Sequence, residues 1–146
     1  RVDQWQESYP NEDTFRADIA RGEGYVMTYD GRIAGIFTLS DRPEDYYERL
    51  TDGKWRTDGK YCVLHRNALD AAFRGSGMSR QLMSAAEDIA RSHGAAAIRV
   101  DTHRKNKAMQ NLLRSSGYEF RGNVLISVGE GHDPRRQAFD KVLLER

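Results

Sequence analysis

The sequence predicts a mixed α/β domain, a single one over residues 1–146, with one central sheet flanked by helices on both faces. Three observations carry that expectation. Two strand-like runs, Tyr25 to Tyr29 and Arg32 to Leu39, are separated only by Asp30-Gly31, a strong two-residue hairpin signal. The stretch Leu69 to Arg91 reads as a strand end, a glycine turn and a helix, with Leu82, Met83, Ala86, Ile89 and Ala90 in an apolar stripe at spacings of three and four. Around these, the elements run in the order helix, hairpin, strand, helix, strand, helix, strand, strand.

Taken along the chain, Arg1 to Pro10 has no clear periodicity. Asn11 or Asp13 then caps a helix running through Phe15 and Ile19 to Arg21, with Gly22 and Gly24 ending it. After the hairpin, Ser40 to Lys60 is polar and punctuated by Pro43, Gly53 and Gly59. It reads as a long functional loop, with a short helix around Glu44 to Leu50. Tyr61 to Leu69 is a strand, and the helix that opens at Ser79 closes at Gly94. Ile98 to Thr102 is a buried strand and Asn106 to Ser115 a helix. Tyr118 to Val128 and Gln137 to Leu144 make a final pair of strands, joined by the turn-rich Gly129 to Pro134.

Composition removes several classes of function. The chain carries 23 Lys+Arg against 22 Asp+Glu, a formal net charge of +1, so no global field draws it to nucleic acid or to a membrane surface. Any charge recognition must be local. The single cysteine, Cys62, excludes an internal disulfide framework and a cysteine-built zinc site, and it suits a reducing, cytoplasmic setting. His65, His93, His103 and His132 are too scattered for a metal site. No apolar run approaches membrane-spanning length, and no signal-peptide pattern opens the chain. The chain starts at Arg1 without a methionine, so an upstream segment is expected to have been lost.

The chemistry concentrates at the glycine turn. A helix start leaves backbone N–H groups without partners and carries a partial positive charge, and glycines let an anion approach them closely. Arg74-Gly75-Ser76-Gly77-Met78-Ser79-Arg80 is therefore a phosphate cradle. Arg74 and Arg80 flank it and add charge-assisted donors. No Lys-Ser/Thr follows the glycines, so this is not the nucleotide-binding P-loop.

This stretch resembles the acyl-CoA-binding core of the GNAT N-acetyltransferase superfamily, whose signature Arg/Gln-x-x-Gly-x-Gly/Ala is met by Arg74, Gly77 and, with a departure, Ser79. A second block follows at the family's spacing: the strand Ala97 to Thr102, then Asn106 to Leu113, then Gly117-Tyr118. The resemblance implies acetyl-CoA as cofactor and direct transfer of its acetyl group to a primary amine of a small molecule or peptide. It implies that the strands at Tyr61–Leu69 and Ile98–Thr102 start side by side and splay apart around the pantetheine arm, with the Ala68 and Leu69 backbone as partners and Asn106 contacting the arm. An amide suits such a contact, although a helix N-cap suits Asn106 equally. The family fold would begin with one more strand and helix, so the chain is expected to be an incomplete copy. The family's usual tyrosine acid is replaced by Leu113.

His65 is the candidate acid/base, because imidazole titrates near neutral pH and its strand runs toward the expected thioester. Strand alternation groups it with Val63, Asn67 and Leu69 and turns Cys62 to the opposite side, as core. Packing within the sheet is the competing reading for His65. Asp101 and His103 form a second candidate pair, with capping of the next turn favoured for Asp101. Trp5, Tyr9, Tyr46, Tyr47 and Trp55, with Glu7, Asp41, Glu44 and Asp45, fall in segments that line the acceptor side in the family and suit a cationic amine, while packing of these two segments onto the sheet is the competing, slightly favoured reading. The alternative function is a catalytically silent acyl-CoA-binding or interaction domain, favoured by Leu113 and by the polar Asn67. A homodimer is left open.

Overall fold

A computed structural model describes residues 11–143. Helix α1 (Glu12–Ala20) is started by Asn11, whose side chain accepts from the Thr14 N–H at 3.0 Å while the Thr14 hydroxyl accepts from the Asn11 N–H at 3.3 Å. This reciprocal cap satisfies two donors that a helix start leaves open. Strands β1 (Gly24–Tyr29) and β2 (Arg32–Ser40) form the expected hairpin. Asp30 and Gly31 sit at φ 49° and 75°, as a two-residue turn with both φ positive requires. Then come β3 (Tyr61–Leu69), α2 (Met78–Ser92), β4 (Ala97–His103), α3 (Lys107–Ser115), β5 (Glu119–Leu125) and β6 (Arg135–Val142). The last two strands are shifted from expectation: β5 stops at Leu125 and β6 begins at Arg135. Leu144 lies outside the described residues, as do Trp5, Glu7 and Tyr9.

The six strands form one sheet in the order β1-β2-β3-β4-β6-β5. Every neighbouring pair is antiparallel except β3 and β4, whose parallel pairing is made by the crossover through α2. The apolar stripe of α2 packs on one face: Leu82, Met83, Ala86 and Ala90 are buried against Phe37, Leu39, Cys62, Leu64, Ile98 and Val100. Leu113 of α3 joins the same cluster. Each fully buried Leu or Met of this kind contributes about 1.5–3 kcal/mol.

The opposite face is covered differently. Asp18 of α1 accepts hydrogen bonds from Thr38 Oγ1 at 2.8 Å and from Arg66 Nε at 2.8 Å, which fixes that helix to β2 and β3. The rest is roofed by residues 41–60, which the sequence presented as a long functional loop with a short helix around Glu44 to Leu50. They form instead a strap with its own core of Tyr47, Tyr61, Val63, Val124 and Ala138, and only a 3₁₀ turn at Asp45–Arg49. Thr51 bridges to Asn123 of β5, Trp55 Nε1 donates to Tyr47 O at 2.9 Å, and Arg56 Nε donates to the buried Asp140 at 2.6 Å. Arg99 lies between the Trp55 and Tyr61 rings, 4.4 and 3.9 Å from their centroids. The packing of Tyr46, Tyr47 and Trp55 onto the sheet matches the competing reading of these aromatics, whereas their backbone and ionic partners in β5 and β6 had no sequence signal.

Two irregularities shape the centre of the sheet. Pairing of β3 with β4 covers only Tyr61↔Ala97, Cys62↔Ile98 and Val63↔Arg99, after which the strands separate. In β3, Ile36 pairs with Ala68 but Thr38 pairs with His65, so one extra residue is bulged out, and Arg66 sits at φ 47°. The bulge corrects the expected alternation. His65 stays on the Val63 side, but Leu69 now pairs with Gly35 across from Leu82, and Asn67 Nδ2 reaches Met109 Sδ on α3 at 3.5 Å.

Candidate active site

The glycine turn has the geometry of an anion site. Gly77 is the N-cap of α2 at φ 86°, and Gly75 lies at φ 73°. A Cβ on either would meet nothing within 4 Å, so glycine is required here by backbone conformation and not by crowding. The first turn-to-turn bond of α2 runs from the Gln81 N–H to Gly77 O at 3.3 Å. Ser79 and Arg80 therefore present N–H groups ahead of the ladder, and no side chain caps the helix. Ser76 supplies only a long contact, its Oγ accepting from the Met78 N–H at 3.4 Å. Met78 turns its side chain into the core and offers the site its backbone alone. Arg74 and Arg80 are exposed beside the turn.

Where β3 and β4 part, the ladder leaves the far halves of both strands facing each other without paired residues. Ala68 and Leu69 lie on that stretch of β3. At the head of α3, Asn106 accepts from the Met109 N–H at 3.1 Å, so the cap reading of this residue is realised. Leu113 is 0% exposed and belongs to the core under α3. Cys62 is also core, and burial pushes its thiol up to about 11, which rules out a ready thiolate.

A polar cluster forms on the strap side of the gap. His65 Nε2 is 3.5 Å from Glu44 Oε1, and the Glu44 N–H donates to the Tyr61 hydroxyl at 3.1 Å. Across the gap, Asp101 accepts from Tyr47 Oη at 2.8 Å and Tyr46 Oη at 3.2 Å. It does not cap the next turn, which is a correction: the strap brings two hydroxyls to it, and α3 has its own cap in Asn106. Burial raises the Asp101 carboxyl above its ordinary value, and the Tyr47 hydroxyl only partly offsets this. His103 is buried with the Lys105 N–H on its Nδ1 at 3.1 Å, and burial together with the Arg136 charge holds its pKa down. Sequence reasoning missed the Asp18–Arg66–Thr38 anchor. The positive-φ arginine that makes it has no local sequence signal. Among the described residues there is no group of three or more His, Cys, Asp or Glu arranged to hold a metal ion, and no helix long and apolar enough to cross a membrane.

A parallel β-α-β unit whose helix opens on a bare glycine turn, beside two strands that splay, defines an acyl-CoA-type acyltransferase fold. The acetyltransferase (GNAT) family model matches residues 1–118, and the chain belongs to that family. A GNAT-family acetyltransferase from Streptococcus agalactiae 2603 is 32% identical and superimposes with a TM-score of 0.85, over 99% of this chain and 80% of that one. YncA of Salmonella typhimurium, whose structure was solved with acetyl-CoA, shares the fold at a TM-score of 0.63 and 21% identity, over 92% of this chain and 72% of that one. In sequence, the chain is 28% identical over 106 residues to the uncharacterized N-acetyltransferase YesJ of Bacillus subtilis (strain 168), matching 71% of this chain and 57% of that protein. The chain thus spans little more than half of YesJ's length.

Proposed function

We propose that this protein is an acetyl-CoA-dependent N-acetyltransferase acting on a primary amine. The single observation that carries the reading is the pairing of an uncapped helix start, reached through two positive-φ glycines, with a gap between parallel strands that has a titratable cluster on its flank. The residues fit the cofactor. The N–H groups of Ser79 and Arg80 and the guanidinium groups of Arg74 and Arg80 suit its phosphates, while Gly75, Ser76, Gly77 and Met78 shape the turn. Ala68 and Leu69 offer strand backbone and Asn106 a side-chain amide to its amide arm. Bound there, acetyl-CoA supplies an activated acyl group.

The chain's own contribution is to make the acceptor a nucleophile. His65 takes the proton from the incoming ammonium, and the carboxylates of Glu44 and Asp101 stabilise the imidazolium that results. Tyr46 and Tyr47 hold Asp101 in place while excluding water from its other side. Leu113, packed away in the core, gives no proton. With an ordinary thiol pKa of ~8.5, a strong acid at that point is dispensable.

A second reading, a silent acyl-CoA-binding domain, is favoured by the burial of Leu113 where the family carries a tyrosine. Thiol release from acetyl-CoA, measured with a panel of amines alongside CoA binding, separates the two. Amine-dependent release is expected. Tight CoA binding with no release from any amine supports the silent domain, and absence of CoA binding overturns both.

A further inference from the structure

At the end of β4, a cleft of about 570 Å³ opens between the β4–α3 turn and the segment that leads into β6, lined among others by His103, Arg104, Lys105, Asp133 and Arg135. Its charge is one-sided. Three cations face one carboxylate, an excess of two positive charges, and Arg136 lies beneath, its Nη1 donating to Asp133 O at 2.7 Å. Asp133 accepts from Arg104 Nε at 2.9 Å and Arg135 Nε at 3.0 Å, so one carboxylate holds two guanidinium groups on the same rim. Lys105 has no carboxylate within ion-pair reach among the described residues. His103 registers the resulting field: burial and the Arg136 charge oppose its protonation, Asp133 favours it, and Arg104 and Lys105 oppose it in turn, so the pKa is held down.

The cleft adjoins the acid cluster. His103 and Asp101 are two residues apart on β4 and on the same face, a rise of about 7 Å. One end of this surface therefore carries Glu44 and Asp101, and the other carries Arg104, Lys105 and Arg135. A cation alone would be repelled by half of it and a simple anion by the other half. We propose that the cleft binds an oxyanion, carboxylate or phosphate, carried on the acceptor itself, so that the acceptors are short dipolar amines with an acidic group at the far end. This rests on the acetyl-transfer reading for the amine end only, because the cleft's charge is independent of it.

The test uses two matched pairs of probes, β-alanine with β-alaninamide and O-phosphoethanolamine with ethanolamine. Each is titrated calorimetrically against the protein and also assayed for thiol release from acetyl-CoA. The member of at least one pair that carries the acidic group should bind about tenfold more tightly than the partner that lacks it, as expected of charge-assisted contacts. That preference should fall by about tenfold in the Lys105→Ala, Arg135→Ala double variant, whose two side chains are exposed, with folding checked by circular dichroism. Which pair shows the preference separates carboxylate from phosphate. Equal binding within both pairs, no measurable binding of either probe that carries the acidic group, or a preference that survives in the double variant overturns the proposal. If the preference holds but no amine releases thiol, the acetyl-transfer reading fails and the oxyanion cleft stands. If amines with and without the acidic group are acetylated equally well, the cleft assignment fails and acetyl transfer stands.

Discussion

His65 and Asp101 occupy opposite sides of a gap that neither strand creates alone, and their environments make different predictions. His65 rests against Glu44 at 3.5 Å on the strap side of β3. Its replacement by alanine should lower turnover by ~10²–10⁴-fold, the usual cost of losing a general base, with little change in the Michaelis constant for acetyl-CoA. Steady-state kinetics check this, and near-normal turnover would return His65 to a packing role. Asp101 is a carboxylate whose folded pKa is raised by burial. The folded state therefore holds its proton more firmly than the unfolded state does, and the ionised group costs stability once pH rises above the ordinary carboxylate range. Asp101→Asn should raise the melting temperature at neutral pH. The gain should vanish below pH ~4, where the carboxyl is protonated in both states. A simultaneous drop in turnover would mark Asp101 as a group retained for function at the expense of stability.

In the anchor of α1 the pKa shift has the opposite sign. Asp18 is buried, yet its carboxyl is held below the ordinary value. Burial acts upward, but hydrogen bonds from Arg66 and Thr38 outweigh it. A depressed folded pKa contributes stability that is present above the ordinary carboxylate range and is lost as pH falls through the lowered value. Asp18→Ala leaves Arg66 without this partner and should cost roughly 3 kcal/mol at neutral pH, with the difference from the parent protein shrinking below pH ~4 in urea titrations. Unchanged midpoints would show that the Asp18–Arg66 pair adds nothing to stability. The strap makes its own prediction through Gly53, where a Cβ would collide with Arg121 O of β5. Backbone cannot move aside as a side-chain tip can. Gly53→Ala should therefore destabilise the protein by about 3 kcal/mol or more, or detach residues 50–56 from β5. Hydrogen exchange at Thr51 and Asn123, whose N–H groups are shared in that bridge, distinguishes the two outcomes.

For the molecule as a whole, ligand binding and stability are linked. A ligand that engages the glycine turn only when α2 is folded stabilises the native state by about 2.7 kcal/mol at a hundred times its dissociation constant. CoA should therefore raise the melting temperature of the parent protein. Gly77→Glu should abolish the rise, because a carboxylate then stands where phosphate oxygens would, on a residue held at φ 86°. The variant's own melting temperature should also fall, because a side chain at φ 86° strains the backbone even where nothing crowds it, so the readout is the rise that CoA adds to the folded variant and not the variant's absolute melting temperature. An undiminished CoA-induced rise in the folded variant would rule out the cradle.

By itself the sequence determined the elements whose causes are local. The hairpin at Asp30-Gly31, the span of β3 and the buried stripe of α2 all follow from residues within a few positions of one another, and the structure chose Asn11 over Asp13 as the cap of α1. The glycine turn was legible for the same reason, because its conformation and its exposed N–H groups belong to one short segment. Tertiary structure alone decided the rest. The bulge at Arg66 appears only when β2 is laid against β3, and it moves Asn67 and Leu69 off the His65 face. The strap is polar in sequence and packed in space, since its partners in β5 and β6 lie more than sixty residues away. Asp101 exchanged an expected local cap for two tyrosines from that strap. Long-range pairing has no periodicity to read: it is fixed by which backbone donors, rings and charges remain unsatisfied once the local elements have formed.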